Sequence, residues 1–309
     1  MKIPENFPEI FRRTKKKCKQ LIEYGYWSRI DGTALDKWLS NFNTDEELFI
    51  AALVLNSIIY RNEPVVSMFV ADILQFKLPN HLIDVDKYKV NSIEQWMTDL
   101  KDHRNRSRIP IRFTAVEGAG LGDRPGKSGS VIYRSVQRSF FHRDFGVARG
   151  SLYQRSFTNS NITTIVMFDD IAGSGQQFVD FFSVELNGPG TAFKDLPFYF
   201  VYSPICATQE AIDKIESEFN NIKVIPGEVI GTEHSLFSRH NTFLCQPDVD
   251  TLDNIKEHYE DMAKANGFRQ SCMGFGGQAM SYVFYDSTPN NNAKLIYESS
   301  DKWNPLFVR

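Results

Sequence analysis

Between Ile162 and Phe182 the sequence reads ITTIVMFDDIAGSGQQFVDFF, and two of its features can do chemistry. Asp169 and Asp170 are adjacent carboxylates at the end of an apolar run. Gly173, Ser174 and Gly175 follow as a small-residue turn, before a helical pattern opening with Gln176 and Gln177. An apolar run that ends in acids places them at the edge of a sheet, where buried charges without a partner are strongly unfavourable. They need something to hold. The glycines let backbone N–H groups approach a ligand, and the positive end of the next helix points to the same place. A sugar phosphate carries both matching features: vicinal hydroxyls donate to the carboxylates, and the 5′-phosphate meets the loop amides and the Ser174 hydroxyl. Asp169 and Asp170 are also the natural ligands for a Mg²⁺ ion.

Other readings of these residues fit less well. A dinucleotide loop of the G-x-G-x-x-G kind would have Phe178 in place of its third glycine, and the preceding acids would repel a pyrophosphate. A receiver domain keeps its acidic pair at the first strand, whereas several elements precede this pair. Acids that merely cap a helix, with no ligand, would also account for the charges. Phe178, Phe181 and Phe182 recur at helical spacing and belong to the core.

The elements that must position the pair are legible on either side of it. Phe7 to Leu78 has helical character, clearest in NTDEELFIAALVLNSIIY, where Thr44 and Glu47 stand at capping-box spacing; the pattern breaks around Pro79-Asn80. From Ile109 strands and helices alternate: IPIRFTAVE, TTIVMF and LPFYFVYSPI predict strands, QEAIDKIESEFNN a helix, and IKVIPGEVI a further strand. That alternation predicts an α/β fold with a parallel, doubly wound sheet, whose ligands sit at the carboxyl ends of the strands. TLDNIKEHYEDMAKANG predicts a charged helix and AMSYVFYD a last strand. The expected division is a helical region over residues 1–90 and an α/β domain over residues 91–309.

Composition narrows the class further. A chain of 309 residues, 42% hydrophobic and 24% charged, can build a sizeable core. Its net charge of −3 gives no global attraction to nucleic acid or anionic membranes. No apolar run approaches the ~18 residues of a membrane span, and the start lacks the order of a signal peptide, so the expectation is a cytoplasmic protein without a membrane partner. The four cysteines, Cys18, Cys206, Cys245 and Cys272, form no metal-binding pattern and are expected to be reduced. A local exception to the acidic balance is the run Arg12, Arg13, Lys15, Lys16, Lys17 and Lys19. It is either a solvated basic face or a contact for a polyanion or acidic partner.

Four apolar residues, Asp169-Asp170, two more apolar residues and Gly-Ser-Gly resemble the ribose-phosphate signature of type I phosphoribosyltransferases. More narrowly, the chain is similar to the phosphoribosyltransferase-like proteins of bacterial conflict systems, the PRTase-CE group, which includes effectors encoded beside retron reverse transcriptases. That narrower resemblance rests on DKWLSNF in the helical region, GDRPGKSGS, GFGGQAMSYVFYDSTPNN and the closing WNPLFVR, and it covers most of the chain. The sequence departs from the family tail, which runs T-P-N-N-x-L-P, at Asn292-Ala293-Lys294-Leu295. It also has Gly173 where many phosphoribosyltransferases carry an Asp able to act as a base on the incoming nucleobase.

The resemblance implies a type I phosphoribosyltransferase fold, 5-phosphoribosyl 1-pyrophosphate or a related nucleotide as ligand, Mg²⁺ as cofactor and chemistry at ribose C1′. Asp169 and Asp170 would be the catalytic and metal-holding pair, with Gly173, Ser174, Gly175, Gln176 and Gln177 completing the ribose-phosphate site. A pyrophosphate needs its own place, and AVEGAGLGDRPGKSGS offers Glu117, Gly118, Arg124, Lys127 and Ser128. Its G-K-S ending is half a P-loop, but the opening glycine falls on Leu121 and Pro125 removes an amide. His142 is a candidate acid–base group or a structural hydrogen-bonder, and Thr288-Pro289-Asn290-Asn291 either meets a base edge or makes a turn. The implied role is an effector of anti-phage defence, partnered by a reverse transcriptase and its RNA and DNA, with room for a homo-oligomer. The alternative is a non-catalytic subunit of the same fold that senses a nucleotide or joins a nucleic-acid complex.

Overall fold

The computed structural model describes residues 1–116, 128–154, 157, 160–185, 192–239, 241, 243–244, 249–268 and 271–309. The chain forms two compact units, one of Met1–Val65 with Gly231–Arg309, the other of Val66–Ile230. This partition does not coincide with a boundary near residue 90, because the N-terminal helices share one hydrophobic cluster with C-terminal segments.

The first unit begins with α1 (Phe7–Glu23), which carries Pro8 in its first turn, where a missing N–H is harmless. It stops at Gly25, whose φ of +71° lets the Tyr26 amide turn back to the Leu21 carbonyl at 2.8 Å. α2 (Gly32–Leu39) is capped by Asp31 and α3 (Asp45–Ser57) by Thr44, whose hydroxyl accepts the Glu47 N–H at 3.2 Å. The Glu47 carboxylate in turn accepts from the Asn43 amide, so the local spacing does set this start. The helix ends at Ser57, three residues short of the predicted Tyr60. Ile58 is extended and β1 (Ile59–Arg61) follows, a β-branched run drawn into strand pairing. In the basic run, Lys15 and Lys19 both pair with Asp36, at 2.9 and 3.2 Å, and Arg13 pairs with Glu9.

Helix α4 (Glu63–Asp72) leads into the second unit. It passes through a π turn at Ile73–Lys77 into α5 (Leu78–Asp84), so the expected break at Pro79 does not occur: Pro79 falls in a first turn, where helices accept it. α6 (Ile93–Lys101) is capped by Ser92. The sheet then assembles from β2 (Ile111–Ala115), β3 (Thr164–Ala172), β4 (Tyr199–Thr208), β5 (Ile222–Val224) and β6 (Glu228–Ile230). All pairings are parallel, in the order β2-β3-β4-β5, and β6 joins β4 further along the same strand. The segment IKVIPGEVI is therefore two strands, divided at Pro226-Gly227, because proline cannot donate to the ladder.

Helices α7 (Ser128–Phe140), α8 (Gln176–Ser183) and α9 (Gln209–Glu218) follow β2, β3 and β4 in turn. Alternate side chains of β3 serve different packing groups. Ile165 and Met167 join Phe178, Phe181 and Phe182 of α8, whereas Phe168 stacks on Phe113, which stacks on Phe141 just after α7. A parallel sheet covered in this way needs strands that are apolar throughout, as TTIVMF is.

The C-terminal segments complete the first unit with α10 (Leu252–Ala265), capped by Thr251, and β7 (Tyr282–Phe284), which pairs in parallel with β1. Asn292 is fully buried and binds the Tyr282 backbone on both sides: its Oδ1 accepts from the amide at 2.6 Å, and its Nδ2 donates to the carbonyl at 2.7 Å. Asn291 donates to the Phe275 carbonyl and to Gln278 Oε1, and Thr288 accepts from Arg29. Gly274, at φ +75°, has no room for a Cβ beside the Asn292 and Asn290 carbonyls. The T-P-N-N segment thus makes a turn whose Asn291 amide and Thr288 hydroxyl are engaged within the fold. Asn292→Ala is expected to lower the unfolding free energy by about 1–3 kcal/mol, because it strands a buried donor and acceptor. Denaturant midpoints of the two chains measure this. No helix among the described residues is long and apolar enough to cross a membrane.

Candidate functional site

Strand β3 does not stop before its acids. It runs through Asp169 and Asp170 to Ala172, so the carboxylates leave the strand itself and lie deeper than a loop would place them: Asp169 is 4% exposed and Asp170 8%. Asp169 Oδ2 accepts from the Tyr202 hydroxyl at 3.0 Å, and its Oδ1 accepts from the Asp170 amide at 2.9 Å. Asp170 Oδ1 accepts from the Ile171 amide at 2.9 Å. The Tyr202 ring, on β4, stacks against Phe178 of α8 with 3.9 Å between centroids, which fixes the hydroxyl on the acid.

Burial pushes the Asp169 carboxyl well above the ordinary carboxylate range, and the charge of Asp170 pushes it the same way; the Tyr202 hydrogen bond opposes them more weakly. Burial, followed by the charge of Asp169, raises the Tyr202 phenol well above its usual value. Two carboxyl groups this close in a dry site do not both ionise readily. Of the two, Asp169 is the one whose charged form the fold disfavours.

The turn after β3 leads into a helix start without a side-chain cap. Gly175 is the N-cap of α8 at φ +73°, in the left-handed region, and no side chain caps the helix. α2, α3, α6, α9 and α10 are each capped by an Asp, Ser or Thr side chain, while α1 and α5 also have no side-chain cap but carry a proline in the first turn. The leading N–H groups of α8 are thus left without a side-chain acceptor, an arrangement that suits an anion. A Cβ on Gly175 would stand 3.2 Å from the Ala211 backbone, so the turn packs tightly on the start of α9. The Gly173 carbonyl accepts from Thr208 Oγ1, and the same oxygen caps α9 by accepting the Ala211 amide at 3.0 Å. Ser174 is partly exposed and Gln177 exposed. Gln176 donates to Asp180 at 2.7 Å and accepts from Lys214 at 2.6 Å, so its amide ties α8 to α9.

Oxygen donors of this kind suit Mg²⁺. Among the described residues no group of three or more His, Cys, Asp or Glu side chains could hold a metal, and Asp169 and Asp170 supply two carboxylates.

Residues 35–309 match the family model of PRTase-CE. The chain belongs to this family. A crystal structure of orotate phosphoribosyltransferase from Aeropyrum pernix aligns with 48% of this chain and 71% of its own, at 10% identity and a TM-score of 0.24, a likeness too loose to carry an argument. No curated protein matches the sequence.

In this PRTase-CE chain the acids and the Gly173–Gly175 turn are contiguous at one end of the sheet. Glu117, Gly118, Arg124 and Lys127 lie outside the described residues, as does Cys245, while Ser128 opens α7. His142 caps a short turn, its Nδ1 accepting from the Asp144 amide at 3.3 Å, which accounts for it structurally. Cys18, Cys206 and Cys272 are buried, and burial pushes the Cys18 thiol up to about 12.

Two residues of the site, Tyr202 and Thr208, escaped the sequence reading, and a third, Gly129, has a different role from the one read. Tyr202 carried a usable signal, since a tyrosine inside an otherwise apolar buried strand needs a partner for its hydroxyl. Thr208 precedes a helix at the end of a strand, which marks a cap but not its second bond to the glycine turn. Gly129 lies in GDRPGKSGS, which the sequence presents as a glycine-rich anion loop rather than as a packing contact; a Cβ there would collide with the Val116 carbonyl and stand 3.0 Å from Asp169 Oδ1.

Proposed function

We propose that the Val66–Ile230 unit binds the ribose 5-phosphate portion of 5-phosphoribosyl 1-pyrophosphate, or of a related nucleotide, with Mg²⁺, and acts at ribose C1′. The observation that carries this reading is the buried pair Asp169–Asp170 at the end of β3, shortly before a helix whose N-terminus has no side-chain cap. Two vicinal hydroxyls donating to the pair would favour its charged form, and the 5′-phosphate would take the amides of Ser174 to Gln177. Loss of pyrophosphate from C1′ leaves positive charge on the sugar ring, which the ionised pair favours. Mg²⁺ held by Asp169, Asp170 and the ligand's phosphates would supply neutralisation of the leaving charge. In the second anion loop, Arg124 and Lys127 are the sequence's candidates for the same task.

Family membership and the motifs GDRPGKSGS and WNPLFVR support a cytoplasmic anti-phage effector of the retron kind, working with a reverse transcriptase and its RNA and DNA. A second reading, ligand sensing without turnover, is favoured by Gly173: it puts no base beside C1′, and its carbonyl is held by Thr208. Titration calorimetry with 5-phosphoribosyl 1-pyrophosphate and Mg²⁺, run beside an assay of pyrophosphate release, separates the readings. Saturable binding with release supports the transferase or hydrolase. Binding without release leaves the sensor, and no binding removes both.

A further inference from the structure

Strand β2 carries one charged residue, Arg112, near its amino end. It stands beside Ile165 of β3, four residues before Asp169, which at ~3.3 Å per residue is about 13 Å from the acid pair. Arg112 is only 3% exposed, and it lines a cavity of about 420 Å³ with Arg106, Val147, Ser151, Asn161 and Ile162.

A buried cation is normally matched by an acid, because a desolvated charge without one is strongly unfavourable. Arg112 has no such match among the described residues. Its Nη1 donates to the Ile109 and Ile111 carbonyls at 2.9 and 2.7 Å, and its Nη2 to the Arg106 carbonyl at 2.9 Å. Its Nε is buried without an acceptor. Three carbonyl dipoles fix the guanidinium but bring no negative charge. The acids of the neighbouring segment are committed elsewhere: Asp99 pairs with Arg108 at 2.7 Å and Asp102 with Arg104 at 2.6 Å. No acid is among the described residues that line the cavity. Burial lowers the Arg112 guanidinium to about 10, the charge of Arg106 pushes it the same way, and no carboxylate opposes them. A guanidinium has five N–H donors, so three bonds to carbonyls leave two for an oxyanion.

We infer that this cavity binds a small organic oxyanion, a phosphate monoester or a carboxylate, whose charge Arg112 meets and whose body lies against Ser151, Val147 and Ile162. The volume exceeds what a bare ion fills and falls in the range of small-molecule sites. Phosphoryl and carboxylate groups both match the guanidinium fork, so the probes separate the two sources. The site neither uses nor requires the acid pair, and the anionic probes lack a vicinal diol.

Titration calorimetry on the full chain would compare glycerol 2-phosphate and glutarate with uncharged glycerol. The expected result is saturable binding of at least one anion, about tenfold or more tighter than glycerol, and a loss of about thirtyfold in Arg112→Met. Methionine removes the charge but leaves three carbonyls without their donor, so a second variant tests the same point from the rim. Ala148 is exposed and lines the cavity, and Ala148→Glu brings a carboxylate to its mouth. That variant should fold normally and weaken anion binding by about tenfold. Circular dichroism checks the fold of both, and Ala148→Glu decides alone if Arg112→Met does not fold. Preference for glycerol 2-phosphate would identify the phosphoryl source, and preference for glutarate the carboxylate source. Glycerol binding as tightly as both anions, no saturable binding of either anion, or unchanged affinity in a folded Arg112→Met or in Ala148→Glu would each overturn the inference.

Discussion

Asp169→Asn is expected to make the ligand-free chain more stable at neutral pH and, in the same protein, to weaken binding of 5-phosphoribosyl 1-pyrophosphate with Mg²⁺ by about a hundredfold. In the unfolded chain an aspartate titrates near about 3.9, whereas in the folded, empty site burial and Asp170 hold this carboxyl well above that value. Between those two values the folded state binds more protons than the unfolded state. Stability is therefore complete below the unfolded value and declines as pH rises toward the folded one. An asparagine carries no proton to lose. Its carbonyl can still accept the Asp170 amide, as Asp169 Oδ1 does, so relief of the strained acid should outweigh the altered contact with Tyr202. A gain of about 1–2 kcal/mol is expected, which corresponds to a rise of roughly 2–8 °C in thermal midpoint for a chain of this class. Calorimetric scans from acid to neutral pH should show a shallower decline for the variant than for the wild type. The ligand loses in the same exchange, because an amide gives its hydroxyls a weaker acceptor and gives a cation no charge. A variant less stable than the wild type at neutral pH would mean that the empty pair is unstrained. Unchanged affinity would remove Asp169 from the ligand.

What the sequence revealed of this site follows the range of the forces involved. The turn chemistry of Gly173 to Gly175 and the caps Thr44 and Thr251 act over a few residues, so they are written in adjacent letters. The strands β3 and β4 are nearly all buried, and burial on both faces leaves a continuous apolar run that can be found without a partner. Pairings across long separations leave no such trace. β1 was absorbed into a helical pattern because Ile58-Ile59 extends an apolar run, and only its partner at Tyr282–Phe284 selects the strand. The discontinuous first unit was hidden for the same reason: Trp38, Phe42 and Trp303 meet in one cluster from opposite ends of the chain. At the site itself, the sequence located the two acids but not their environment. Their burial depends on β3 continuing to Ala172 and on Tyr202 arriving from β4, neither of which alternation within one segment reveals.

Gly129→Val should be the more disruptive change to the fold around the pair. α7 opens at Ser128, and its second residue meets the end of β2 so closely that even a methyl group would overlap the Val116 carbonyl oxygen, with Asp169 Oδ1 next at 3.0 Å. A backbone carbonyl cannot rotate aside as a flexible side chain can, and the neighbouring Val116 amide is already bound to the Phe168 carbonyl at 2.9 Å. The helix start must therefore retreat from the sheet, at a cost of about 3 kcal/mol or more. Its retreat would also remove the wall against which Asp169 rests, and a carboxylate free to shift by a fraction of an ångström loses the geometry a ligand needs. Gly32→Ala is the matched control, since a Cβ there meets nothing within 4 Å and the position opens α2; it is expected to be neutral or stabilising by up to about 1 kcal/mol. Thermal unfolding of the two variants beside the wild type would read the difference directly. If Gly129→Val unfolded like Gly32→Ala, the close approach of α7 to the acids would not be needed to hold them.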